Sequence, residues 1–201
     1  MSSHTSAIES GVARPAAAVA DKRLPNSVLA VIIFVVCEIM FFAALMSAHT
    51  IAKATAMGGV WPPAGQPRLP VERTAFNTAI LLLSGVLLFL ASRRARGGYE
   101  KAHAYLAGAI ATGIAFVLLQ GVEWVALLRE GLTMTSSPHG AFFYLIVGAH
   151  ALHAVVAISI LAALYVPMRR GTLAPSTFAA TKIFWYFVVL LWPVIYLRVY
   201  L

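Results

Sequence analysis

Two carboxylates, Glu38 and Glu123, lie inside stretches that are otherwise long and apolar enough to span a membrane. Around Glu38 the chain reads SVLAVIIFVVCEIMFFAALMSA, and around Glu123 AYLAGAIATGIAFVLLQGVEWVALL. A charge in hydrocarbon costs a few kcal/mol or more, so an acid held there is a functional group or a protonated carboxyl bonded to a neighbouring helix. His150 and His153, three residues apart, are helical neighbours on one face. Histidines so spaced can chelate copper, zinc or iron, but a cysteine pair, HExxH or Glu-x-x-His within one helix is missing. On a face built of Gly148, Ala149, Ala151 and Ala154 the favoured reading is hydrogen bonding across a close helix contact. A Glu38–histidine pair is expected, because each partner offsets the other's desolvation, and no metal site is expected. Gln120 and Glu123 form a second polar stripe, expected to hydrogen-bond between helices. No nucleotide loop, nucleophile triad or paired-cysteine motif accompanies them, and the single Cys37 rules out an internal disulfide.

The elements that must position these residues follow from composition. Of 201 residues, 61% are hydrophobic and 11% charged, against about 25% charged in soluble domains. The expected fold is all-α, a polytopic membrane bundle of five transmembrane helices near 27–52, 74–92, 103–128, 140–166 and 178–200. The domain division is a mobile cytoplasmic tail over 1–24, without the apolar core of a signal peptide, followed by a membrane domain over 25–201. Ten of the fifteen Lys and Arg residues fall in the tail, the second and fourth connections and the start of the fifth span, and five on the opposite side. That asymmetry places the N-terminus inside and the C-terminus outside, and it accounts for the +8 net charge without a nucleic-acid partner. Glu38 then lies roughly 17 Å deep, at about the level of His150 and His153. Glu123 falls near the outer boundary beside Trp124, within reach of water or headgroups, and His49 and Lys53 mark the outer end of the first span. Phe41, Phe42, Phe142, Phe143, Tyr144, Trp185 and Trp192 read as packing residues and interface anchors.

Taken in order, several stretches resemble subunit III of the haem–copper oxidases in a short, five-helix form. They are Cys37 to Phe42, Trp61-Pro62-Pro63, Phe76-Asn77-Thr78 with Leu83-Ser84-Gly85, Leu118 to Trp124, Ser137 to Tyr144, and Gly148 to His153. The resemblance covers roughly residues 28–165, its most specific parts being Gln-x-x-Glu and Gly-x-His-x-x-His. It implies an accessory subunit of a respiratory terminal oxidase that binds no haem or copper, both expected in partner subunits, and that packs on catalytic subunit I near subunit II. It also implies that Glu38 is the family's carbodiimide-reactive carboxylate and belongs to a proton pathway. Glu38, His150 and His153 would line a polar cleft holding structural phospholipid, with Gln120 and Glu123 supporting helix packing. The implied location is a bacterial plasma membrane rather than a mitochondrial inner membrane. The last helix departs from the family pattern, since Tyr186 and Val189 stand where the family has His and Asp. A subunit III-like component of a nitric oxide reductase, or an independent proton channel or transporter, are the alternative functions. Against the transporter, the spans show no internal repeat.

Overall fold

The computed structural model describes residues 24–56, 60–63, 65–99 and 102–201. All of the expected tail except Leu24 lies outside the described residues, as does Lys101. In hydrocarbon each backbone amide must bond within its own segment, so long apolar runs become helices. They are α1 (Asn26–Ala54), α2 (Val71–Ala95), α3 (His103–Arg129), α4 (Pro138–Arg169) and α5 (Pro175–Ile195), which continues as a π-helical segment, Tyr196–Tyr200. The first four contain 29, 25, 27 and 32 residues, or about 38–48 Å of helix, ample for a bilayer core of about 30 Å. All five are long and apolar enough to cross a membrane, and the described residues contain no strand.

Helix α5 is the axle, packing against α1, α2 and α4, while α3 bridges α2 and α4. Lipid tails are as apolar as leucine, so close approach at small residues holds such helices together. A Cβ on Gly85 would sit 3.1 Å from a Val189 methyl, and one on Gly113 3.0 Å from the Trp185 ring. These contacts draw α2 and α3 against α5. Position 189, where the resemblance leads one to expect Asp, is thus an apolar seam, and the half-buried Tyr186 hydroxyl has no hydrogen-bond partner among the described residues.

Helix α1 touches the rest of the bundle, mainly α5 and then α4, along one narrow stripe. Val28, Phe42 and His49 are buried on it, and Val31, Val35 and Leu45 pack partly against the core. Spacing by threes and fours keeps one seam facing a partner helix. Glu38 falls on this stripe and so faces the bundle.

At one end Tyr99 donates to the Leu173 carbonyl (3.1 Å), tying the α2–α3 connection to the α4–α5 connection, where Arg93, Arg94, Arg169 and Arg170 lie. At the other end Ser136 donates to Gln66 Oε1 (3.2 Å), tying the α1–α2 connection to the α3–α4 connection. There Ser137 caps α4 by accepting from the Gly140 amide (3.1 Å), with Pro138 in the first turn.

Candidate functional site

The acid on the α1 stripe meets one histidine. Glu38 Oε2 lies 3.0 Å from His153 Nε2, with side chains only 17% and 15% exposed, midway along α1 and α4. On its other side the ring approaches its own helix: His153 Nδ1 is 2.7 Å from the Ala149 carbonyl oxygen. A carbonyl only accepts, so Nδ1 carries a proton. Nε2 of a neutral ring is then an acceptor, and so is an ionised carboxylate. For the 3.0 Å contact to attract, one further proton must lie between them, whether as carboxylic acid with imidazole or as carboxylate with imidazolium. Beyond His153, Glu38 Oε2 has no partner among the described residues.

Aromatic rings surround this pair. Phe34, Phe42, Phe184 and Phe187 have centroids 5.6–6.5 Å from that of His153. They shield the pair from polar competitors.

His150 does not join them. It is 1% exposed, tilted against Trp192 (4.9 Å) and edge-on to Phe116 (6.4 Å), and among the described residues neither ring nitrogen has a hydrogen-bond partner. Three residues rotate a helical side chain by about 60° relative to its neighbour. That is enough to turn His153 toward α1 and His150 inward, toward α3 and α5. The expected three-residue cluster is therefore a pair, with a separately buried histidine. His150, with Gln120, Trp124 and Trp192, borders a small cavity of about 120 Å³.

Gln120 and Glu123 face α2. Glu123 Oε1 accepts from Asn77 Nδ2 (3.1 Å), and Oε2 from Thr74 Oγ1 (3.0 Å) and Gln120 Nε2 (3.1 Å). Gln120 Nε2 also donates to the Tyr200 hydroxyl (3.0 Å). Glu123 is 6% exposed, so instead of reaching water or headgroups it is satisfied by neutral donors. Next to this network Trp192 Nε1 donates to Thr78 Oγ1 (2.9 Å). The sequence reading gave no role to Thr74 or Tyr200. Thr74 and Asn77 share the three-residue spacing of Gln120 and Glu123, a signal that would have found the α2 half. Tyr200 carries no such mark.

His49 is 2% exposed rather than a surface marker, packed edge-on against Trp61 (5.6 Å) and Phe142 (5.7 Å). Of the aromatics, Phe42, Phe143, Trp185 and Trp192 are fully buried, whereas Phe41 faces outward. Among the described residues no group of three or more His, Cys, Asp or Glu is placed to hold a metal ion.

The sequence profile of the family described as cytochrome c oxidase subunit III matches residues 23–201. Similar curated proteins, each named cytochrome c oxidase subunit 3, come from Dasypus novemcinctus, Arabidopsis thaliana and Sus scrofa. They are 32% identical over 178 residues, 31% over 177 and 30% over 177. Each alignment covers 84% of this chain and 67%, 66% and 67% of the relative. The chain thus spans about two thirds of the length of the curated relatives it matches.

Proposed function

The chain belongs to the cytochrome c oxidase subunit III family, an accessory membrane subunit of a terminal oxidase, and we propose that within such a complex it supplies a proton-holding site beside the catalytic subunit. The observation that carries this reading is the 3.0 Å Glu38–His153 contact near mid-membrane, with His153 Nδ1 already committed to Ala149. A pair that must hold one proton to cohere, and whose Glu38 Oε2 has no second partner among the described residues, is suited to taking up and passing on that proton. In hydrocarbon the pair is neutral overall when it holds that proton, so retaining it avoids a net buried charge. The partners are catalytic subunit I, which carries the haem and copper, and subunit II. Phospholipid fills the apolar surface of α1 that the bundle leaves uncovered. The basic end holding Arg93, Arg94, Arg169 and Arg170 faces the cytoplasm of a bacterium, so the chain is a multi-pass plasma-membrane protein. Pull-down of the tagged chain tests the partnership: haem-bearing subunits are expected to follow it, and a haem-free homo-oligomer would overturn it. Within the assembled oxidase, Glu38→Gln is expected to leave assembly intact while slowing proton uptake or shortening the active lifetime during turnover. Unchanged uptake and lifetime would reduce Glu38 to packing.

A further inference from the structure

A second polar site lies far from the Glu38 pair, at the end of the bundle opposite the basic end, where the two tied connections meet. A cavity of about 450 Å³ there is walled by Lys53, Trp61, Gln66, Arg68, His139 and Leu201 among others, and among the described residues no acidic side chain borders it. We propose that this cavity binds a phosphate-bearing anion, the headgroup of a membrane phospholipid. The proposal does not depend on the role given to Glu38.

Four donors converge on the cavity. Lys53 and Arg68 are exposed, and among the described residues neither forms a salt bridge. The Gln66 side-chain amide meets Ser136 Oγ (3.2 Å), which anchors the loop carrying Arg68 and leaves at least one of its amide N–H groups to donate elsewhere. His139 is 2% exposed, held edge-on to Trp61 at 5.3 Å, and among the described residues neither ring nitrogen has a hydrogen-bond partner. A neutral imidazole always carries one N–H, and a buried donor without an acceptor is rare in native proteins. A phosphate oxygen in the cavity supplies that acceptor and balances the two cations.

The surroundings favour a lipid over free phosphate. Val60, Trp61 and Pro63 also border an adjoining cavity of about 620 Å³, otherwise lined by Ala52, Thr55, Ala56 and Pro138 along the end of α1. A cationic pocket thus opens onto a mostly apolar shoulder, matching a headgroup with the start of its acyl chains. Lys53 stands in the last turn of α1, and Trp61 lies just beyond it, the level at which tryptophan and lysine meet lipid phosphates.

The test uses the full chain in its oxidase complex, in nanodiscs of phosphatidylcholine doped with a photoreactive phosphatidylglycerol. Labelling is expected on peptides covering residues 60–68. In Lys53→Gln/Arg68→Gln the anionic-lipid fraction giving half-maximal labelling should rise by roughly 25-fold, from a loss of about five-fold per basic residue. Lys53→Arg/Arg68→Lys keeps both charges and should restore labelling, separating charge from misfolding. Equal labelling of wild type and Lys53→Gln/Arg68→Gln would overturn the proposal. So would complete displacement of the lipid by millimolar inorganic phosphate, which would make the occupant a free anion.

Discussion

Replacing Glu38, His153 and His150 in turn measures which imidazole the mid-membrane acid depends on. Glu38→Gln offers His153 Nε2 an amide N–H in place of the shared proton, so a neutral hydrogen bond remains and the cost should be about 0.5–1.5 kcal/mol. Glu38→Ala leaves that nitrogen unsatisfied on a side chain only 15% exposed, which raises the cost to about 1–3 kcal/mol. His153→Phe suits the ring cage of Phe34, Phe42, Phe184 and Phe187 but strands the carboxyl, and stranding one member of a buried pair costs about 3–5 kcal/mol. Protonation of the lone acid relieves part of that, so the lower end of the range is expected. A double-mutant cycle on Glu38→Ala and His153→Phe should therefore show a coupling of about 1–3 kcal/mol. The matching cycle with His150→Phe should add within about 0.5 kcal/mol, because His150 packs on Trp192 and Phe116 and has no polar contact with Glu38. The assay is reversible unfolding in mixed lipid–detergent micelles by added dodecyl sulfate. Strong coupling of Glu38 to His150, with none to His153, would refute the pairing and the proton argument built on it.

Gly140→Ala should destabilise the chain by about 1–3 kcal/mol, since its Cβ would collide with the backbone oxygen of Thr133, which cannot swing aside; unfolding in the same micelles checks this, and an unchanged midpoint would show that the connection yields. Val189→Asp, which reinstates the acid of the family pattern, should cost about 2–4 kcal/mol by burying a carboxyl in the Gly85 seam. Loss of the folded chain from membranes on expression of that variant is the measurement, and normal accumulation would contradict the apolar seam. Trp192→Phe should cost about 1 kcal/mol beyond its lost area through the missing bond to Thr78, so pairing it with Thr78→Val should be less than additive.

Five helices are legible in the sequence because a bilayer demands about twenty consecutive apolar residues and nothing shorter will serve. The expected spans fall within the observed helices, except that the last continues through the π-helical turn. The helices run one to three residues further at most ends, where Lys53, Arg93 and Arg129 extend into the interface. The two acids were equally visible, because a charge in such a run stands out whatever it touches. Their partners were not. Whether Glu38 meets His150 or His153 depends on a rotation of about 60° around α4 and on where α1 docks, and neither is written in the spacing. Likewise Thr74 and Asn77 look like ordinary residues at a helix start until α2 is laid against α3. The pocket at Lys53, Arg68 and His139 is assembled from α1, its following loop and the start of α4, residues far apart in sequence and brought together only by the fold.

The same reasoning says why the two intramembrane acids should answer differently to loss of charge. Thr74 Oγ1 lies 3.0 Å from Glu123 Oε2 and 2.9 Å from the Pro70 carbonyl oxygen, yet a hydroxyl has one hydrogen. With Glu123 ionised, that hydrogen goes to the carboxylate. With Glu123 protonated, the acid donates to Thr74, which turns its own hydrogen to Pro70. One set of heavy-atom positions therefore serves both states, and the network depends on neither. Glu123→Gln should be tolerated within about 1 kcal/mol, because the amide oxygen can keep Thr74 and Gln120 while the Asn77 amide flips to accept from the new N–H. The Glu38–His153 contact has no such alternative: without a proton, two acceptors face each other at 3.0 Å. Proton uptake and turnover lifetime in the assembled oxidase should accordingly change in Glu38→Gln and stay at the wild-type level in Glu123→Gln. Equal losses in the two variants would mean that a carboxylate anywhere in the bundle matters, and that the shared proton does not single out Glu38.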